Sequence, residues 1–418
     1  MAGSDHRVTR LLLLVGCFAG LTAYILTPIE QPAQVMLATD VYRHAVGAFL
    51  DGGNLYGNPP PDRPGYNFLY PPITVLAFVP HAMVGSLTVA FVLQTILNLV
   101  AVAGTGVIIH RALARRDIAV THFDLLLIWA FFLLSTYGAI QFLNGQINLW
   151  LALAFAIGFD AIDRDKGRLA GIAFAIAALF KVFPAILGLW LLRLRTWNAV
   201  VAAIATGVSG LALGALFFGP ELTITYLTDV LLGRFEGSTY EGQPEPSDSV
   251  DGIHRQLAAL WPGGSAYHSL IGFLIVATLL AAAMIDVSEQ LNRDAAALAT
   301  IVAILLYLPV QPLYFPLITF PLFMLLYSEL PTVPRRLLVG GTLLTFIHIQ
   351  QEAVDLWLAW LPLPSGLATG IETLTASLFT VILPPTLGLW IMLFACILIQ
   401  HDSLDLGERR KSSTISPA

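Results

Sequence analysis

Charge is what this chain has least of. Only 11% of its 418 residues are Asp, Glu, Lys or Arg, against roughly 25% in an ordinary soluble domain. A water-facing surface for a chain of this size cannot be built from so few charges. Among the charged residues lysine is scarcest, at Lys166, Lys181 and Lys411 alone. The two cysteines, Cys17 and Cys396, sit inside apolar runs. Each reads as a small buried hydrophobe, and a disulfide framework is not indicated. The sequence has no glycine-rich phosphate loop, no zinc-type His/Cys spacing and no serine-nucleophile motif. A net charge of −6 and a pI near 5.8 leave no basic field for nucleic acid. Any chemistry must therefore work on a substrate that arrives already activated.

What is present is apolar length. Hydrophobic residues make up 57% and mean hydropathy is +0.77. The runs are continuous rather than alternating, and a membrane-crossing helix needs about 20 such residues. This predicts an all-α integral membrane protein with about twelve membrane segments. They fall near 11–28, 87–110, 123–143, 146–162, 168–181, 183–193, 197–218, 267–286, 295–311, 313–328, 337–358 and 378–400. Leu14-Val15-Gly16-Cys17 resembles a lipoprotein cleavage box, but the apolar run continues past it, so residues 11–26 read as a first span.

Two segments need separate treatment. Residues 71–84 are apolar but short and carry Pro71, Pro72 and Pro80, so they read as an interfacial or re-entrant helix. Pro184 interrupts 168–193 just after Lys181, which predicts two short helices meeting at Lys181-Val182-Phe183-Pro184. With the N-terminus inside, sixteen of the 21 basic residues fall on inner loops. Arg43, Arg63, Lys181, Arg234 and Arg255 fall outside, as the positive-inside rule asks. The expected organisation is one transmembrane domain over 1–400, with outer loops at about 29–86 and 219–266 and a cytoplasmic tail at 401–418. Both termini then lie inside a multi-pass protein of the plasma membrane. Residues 35–50 read as a helix on the membrane surface, and the acidic 219–266 loop as partly mobile.

Polar groups that are costly in lipid are functional suspects, and here they gather on the outer side. Asp40, in Thr39-Asp40-Val41-Tyr42-Arg43-His44, could take a proton from an attacking hydroxyl or simply N-cap a helix or sit in a turn. Tyr70 stands before the paired prolines Pro71-Pro72. Gln146 and Asn148, in Asn144-Gly145-Gln146-Ile147-Asn148, could bind sugar hydroxyls or phosphate. Lys181, at the junction of two half-length helices, suits an anion or a snorkelling cation. Asp163-Arg164-Asp165 spells the metal–nucleotide motif of soluble sugar transferases, but it lies among basic residues with no Rossmann pattern around it, so it is set aside. His348, Gln350, Gln351, Glu352 and Asp355 cluster near the end of one expected span.

Five motifs in order resemble glycosyltransferase family 87: Asp40-Val41-Tyr42, Gly53-Asn54-Leu55-Tyr56, Phe68-Leu69-Tyr70-Pro71-Pro72, Gly145-Gln146-Ile147-Asn148 and Lys181-Val182-Phe183-Pro184. The resemblance is clearest over residues 37–195. It implies a polytopic helical bundle of the GT-C type with a long first outer loop. It also implies transfer of a hexose, mannose foremost, from a polyprenyl or dolichyl phosphate donor to a lipid or glycan acceptor at the outer face, with inversion. Asp40 would be the base. Lys181 would hold the leaving phosphate, with Tyr42, Tyr70, Gln146 and Asn148 placing the donor. No cofactor or metal is implied, the lipid-linked sugar phosphate being a substrate. Where some relatives carry Trp and His, this chain reads Leu308-Pro309-Val310-Gln311-Pro312-Leu313-Tyr314-Phe315. Gln311 and Tyr314 are the candidates to substitute there, with His44 and His348 as further cavity lining. The rival reading is a transporter or lipid flippase. It shares the span count and the broken helices, but such proteins usually place polar residues near mid-membrane in two related halves.

Overall fold

A chain that must satisfy its backbone polar groups without water can do so by coiling, and this one does. The computed structural model describes residues 6–235, 240, 242–248, 251–308 and 312–414. Every regular element among them is helical. Five helices are long and apolar enough to cross a membrane: Arg7–Glu30, Leu87–Arg115, Trp197–Phe218, Pro262–Ala282 and Pro384–His401. A sixth candidate is the pair His122–Leu134 and Thr136–Asn144, bent by 44°. Shorter apolar helices occupy Pro72–Met83, Gly167–Phe180, Phe183–Arg193 and Pro312–Tyr327. By length and composition this is a polytopic membrane protein. It divides into two compact units, Met1–Gly237 with Phe315–Phe323, and Ser238–Tyr314 with Met324–Ala418.

In the first unit, helices α1 (Arg7–Glu30), α2 (Leu37–Leu50), α3 (Val75–Met83) and α4 (Leu87–Arg115) precede the bent pair, α5 (His122–Leu134) and α6 (Thr136–Asn144). Then come α7 (Asn148–Asp163), α8 (Gly167–Phe180), α9 (Leu187–Arg193) and α10 (Trp197–Phe218). The two expected short segments are there. A 3-10 turn at Pro72–Thr74 leads into α3, and α8 ends at Phe180 before a 3-10 turn at Phe183–Ile186 opens α9. The expected single span at 123–143 is instead broken at Ser135. The cause lies in α1. Gly20 brings its backbone so close that a Cβ there would sit 2.0 Å from the Leu134 carbonyl oxygen. Tyr24 donates a 2.9 Å hydrogen bond to the Leu133 carbonyl, serving an acceptor at the break.

One end of this unit collects ion pairs. Arg10 meets Asp124 at 2.8 Å, Arg116 meets Asp163 at 2.5 Å, Arg164 meets Asp160 at 2.9 Å, and Arg115 also pairs with Asp160. Thr121 and Asp124 form a capping box at the start of α5. Asp163 and Arg164 thus join an ion-pair network with neighbouring helix ends, which accounts for that motif without nucleotide chemistry.

The second unit holds α11 (Ile253–Leu260), α12 (Ser265–Ala282), α13 (Gln290–Tyr307), α14 (Thr332–Leu344), α15 (Gln351–Trp360), α16 (Ser365–Val381) and α17 (Pro384–Thr414). Here α14 and α17 cross at bare backbone, since a Cβ on Gly341 would lie 2.7 Å from the Gly388 carbonyl oxygen. The expected span at 337–358 is corrected to two helices, α14 and α15, separated by residues 345–350. The expected span at 378–400 begins at Pro384, and residues 365–381 form a helix of their own. The described part of the 219–266 loop is tied down. Arg255, fully buried, donates to the carbonyls of Glu245 (2.6 Å), Asp248 (2.9 Å) and Phe379 (2.8 Å). Asp251 accepts from the amides of Gly252 (2.8 Å) and Leu383 (3.2 Å).

Two outcomes are expected. Gly20→Ala, which forces a side chain into the α5–α6 break, should destabilise the solubilised protein by about 1–3 kcal/mol. Gly207→Ala, whose Cβ meets nothing within 4 Å inside helix α10, should melt no lower than wild type. Burial pushes the Asp251 carboxyl up to about 6, so the folded state holds this proton more tightly than the unfolded chain. That favours folding below about pH 4 and is progressively lost as pH rises through about 6. Asp251→Asn should therefore narrow the fall in thermal midpoint between pH 4 and pH 7; an unchanged fall would remove Asp251 as its source.

Candidate active site

Helix α2 starts without a side-chain cap. Met36 stands at its N-terminus in the left-handed region (φ 62°), and its amide donates 2.8 Å to the Leu143 carbonyl at the end of α6. Asn144 donates to both the backbone and the side-chain oxygen of Gln34, each at 3.1 Å. Gly145 closes α6 at φ 73°, and a Cβ there would lie 2.0 Å from Thr39 Oγ1. Only glycine fits that turn with α2 pressed against it. The 39–44 and 144–148 motifs, far apart in sequence, are thereby brought into contact.

Three of the expected donor-placing side chains meet there. The hydroxyls of Tyr42 and Tyr70 lie 3.0 Å apart, and Tyr42 donates 3.1 Å to Gln146 Oε1. Tyr56 donates 2.8 Å to the Tyr70 carbonyl. Beneath them Phe78, fully buried, stacks on Tyr70 (5.9 Å) and Trp150 (6.1 Å). It meets Tyr42 at 4.3 Å and Phe180 edge-on at 6.2 Å. Phe180 also meets Tyr70 at 6.4 Å, and Lys181 is the next residue in the chain. Lys181 is half-buried, in extended conformation (φ −140°, ψ 126°) at the gap between α8 and α9.

Asp40 is not a cap. It lies in the first turn of α2 with no capping bond, and Oδ2 accepts 3.0 Å from Arg63 Nε. The carboxylate side chain is 18% exposed and the guanidinium side chain 14%. His44 follows one turn on, half-buried. Asn148 is turned inward, its amide donating 3.0 Å to Gln141 Oε1, so it braces the turn between α6 and α7. Gln311 lies outside the described residues. Tyr314 and His348 belong to the second unit. Among the described residues no three His, Cys, Asp or Glu side chains converge as a metal site.

Four residues escaped the sequence reading. Arg63 is one. The others form a buried string: His81 Nε2 donates 3.0 Å to Gln94 Oε1, and Gln94 donates 3.1 Å to Asn98 Oδ1. Gln94 and Asn98 then both donate to the Gln146 carbonyl, at 3.3 and 3.0 Å. All three side chains are fully buried. The signal was present in the sequence: Gln94 and Asn98, one turn apart in an otherwise apolar run, share one helix face, and such residues in a span call for partners.

Residues 68–312 match the family model described as Glycosyltransferase family 87. The chain belongs to glycosyltransferase family 87. It is also similar to a polyprenol-phosphate-mannose-dependent alpha-(1-2)-phosphatidylinositol pentamannoside mannosyltransferase of Mycolicibacterium smegmatis. The two are 31% identical over 224 residues, covering 50% of this chain and 51% of that protein. The chain thus spans about half the length of the curated relative it matches. The family 87 match contains Tyr70, Gln146, Asn148 and Lys181 and begins after Asp40, Tyr42 and Arg63.

Removing the middle of the buried string should be costly. Gln94→Leu leaves His81 Nε2 without its acceptor inside the protein, a loss of about 1–3 kcal/mol for an unsatisfied buried group. A lower melting midpoint for the solubilised variant would show it, and a wild-type midpoint would mean that the string contributes nothing to stability.

Proposed function

We propose that the chain is a membrane mannosyltransferase that takes its sugar from a polyprenyl phosphate and delivers it, with inversion, to a lipid or glycan acceptor at the outer face of the membrane. The observation that carries this reading is the meeting of Tyr42, Tyr70 and Gln146 in the first unit, with Asp40 on the same helix as Tyr42, in a chain of family 87. The relative's name supplies the donor class, a polyprenol phosphate mannose.

In this reading Asp40 takes the proton of the acceptor hydroxyl as its oxygen attacks the anomeric carbon. The bond from that carbon to the phosphate oxygen breaks on the opposite face, and the lipid phosphate leaves with its negative charge increased. Lys181 neutralises that charge, and such stabilisation in a site of low dielectric is a large catalytic term. Tyr42, Tyr70 and Gln146 hold the sugar by its hydroxyls. The acceptor enters beside Asp40 and His44. The ion-paired end, with Arg10, Arg115, Arg116 and Arg164, faces the cytoplasm, and both termini lie on that side. The short and broken helices complete about twelve membrane segments, and the protein resides in the plasma membrane.

The test is transfer from radiolabelled polyprenyl-phosphate mannose in membranes that contain the protein, with lipid and glycan acceptors supplied. Wild type should transfer. Asp40→Asn should lose about 10²–10⁴-fold, and Lys181→Met about 10²–10³-fold. Equal rates for wild type and Asp40→Asn would move the base elsewhere. Absence of transfer by wild type would overturn the donor assignment and favour a transporter.

A further inference from the structure

Arg63 lies in a proline-framed turn, between Pro60-Pro61 and Pro64, and its own amide closes that turn onto the Pro60 carbonyl at 2.9 Å. Its guanidinium reaches back about one loop length to three acceptors around the start of α2. Nη1 donates to the Ala33 carbonyl, Nη2 to the Val35 carbonyl at 2.9 Å, and Nε to Asp40 Oδ2 at 3.0 Å. A guanidinium is planar and its donors are fixed in one fork. With both terminal nitrogens tied to backbone, the direction of Nε is set by the protein, and the carboxylate must align with it. The torsion that turns an Asp carboxylate is otherwise broad. Asp40 Oδ1 has no hydrogen-bond partner among the described residues, and the side chain keeps 18% exposure.

We infer that Arg63 is a positioning residue for the transfer reaction: it pins one oxygen of Asp40 to the frame of the 51–70 loop and so presents the other, Oδ1, to the acceptor hydroxyl. This rests on the function proposed above. Arg63 touches neither donor nor acceptor and acts through Asp40 alone. A base held in one orientation keeps the hydroxyl proton, the attacking oxygen and the anomeric carbon in register, and losing such alignment costs about 10²-fold in rate. An arginine that served only as a loop clasp would act on stability and equally on every step.

The experiment uses the full chain in membranes, with radiolabelled polyprenyl-phosphate mannose as the probe. It compares wild type, Arg63→Ala, Arg63→Lys, Asp40→Asn and the Arg63→Ala/Asp40→Asn double variant over long incubations. Arg63→Ala should lower kcat by about 10²-fold, with the donor KM within about twofold. Arg63→Lys, which restores a cation without the fork, should fall between the two. In the Asp40→Asn background Arg63→Ala should have no further effect on the residual rate. Equal fold-losses in both Asp40 backgrounds would make Arg63 a structural clasp and overturn the inference. If Arg63→Ala does not fold, Arg63→Lys decides alone, and wild-type kcat in that variant overturns it. Wild-type membranes that transfer no mannose would bring down the functional reading and this inference with it. Active wild type with unimpaired Arg63 variants brings down only the inference.

Discussion

A peptide group in lipid has no water to turn to, so every place where a helix stops inside the bundle must find donors and acceptors within the protein. This constraint organises the first unit. At the Ser135 break, Tyr24 serves the Leu133 carbonyl. Ahead of the short helix α3, Thr74 donates 2.7 Å to the Pro71 carbonyl and Tyr56 serves that of Tyr70. At the turn between α6 and α7, Gln94 and Asn98 serve the Gln146 carbonyl. Interrupted helices draw polar side chains toward them, and two of these interruptions carry Tyr70 and Gln146. Where the backbone is expensive to keep, the protein has concentrated the groups that can recognise a polar ligand.

Helix α4 connects the two kinds of chemistry in this unit. Gln94 and Asn98 near its start join the buried string at the candidate site, while Arg115 and Arg116 at its far end join the ion pairs with Asp160 and Asp163. The ion pairs hold helix ends together through opposite charges. The cluster of Tyr42, Tyr70 and Gln146 uses neutral hydroxyls and an amide over an aromatic floor, and in the proposed function Asp40 and Lys181 supply the charge. That division suits a sugar, whose hydroxyls are read by uncharged donors and acceptors, linked to a phosphate that asks for a cation.

Much of this was legible in the sequence because the signals are local. Paired prolines marked the start of the short helix, Pro184 marked the break after Lys181, and Asn144-Gly145 marked a turn that needs a left-handed glycine. The misses share a different cause. Ser135 has neither proline nor glycine beside it, and its break is decided by Gly20 on another helix. The helix Ser365–Val381 is rich in Thr and Ser and carries Glu372, so its composition hid it among apolar spans. Residues 345–350, Thr-Phe-Ile-His-Ile-Gln, are apolar enough to pass for helix, yet the chain leaves the helix there. Arg63 and Asp40 pair across 23 positions with no periodic trace. Asn148 is an amide of the right type in the right turn, and the direction in which it points is settled by Gln141 rather than by its own motif.

In the proposed function the groups around Tyr42, Tyr70, Gln146 and Lys181 form the donor site. The most direct measurement is an experimental structure of the full chain in a lipid disc with polyprenyl-phosphate mannose bound to the Asp40→Asn variant. Sugar density is expected against the Tyr42, Tyr70 and Gln146 side chains, with the phosphate at salt-bridge distance from Lys181. Density for the sugar phosphate at the opposite end of the unit, among Arg115, Arg116 and Arg164, would contradict it.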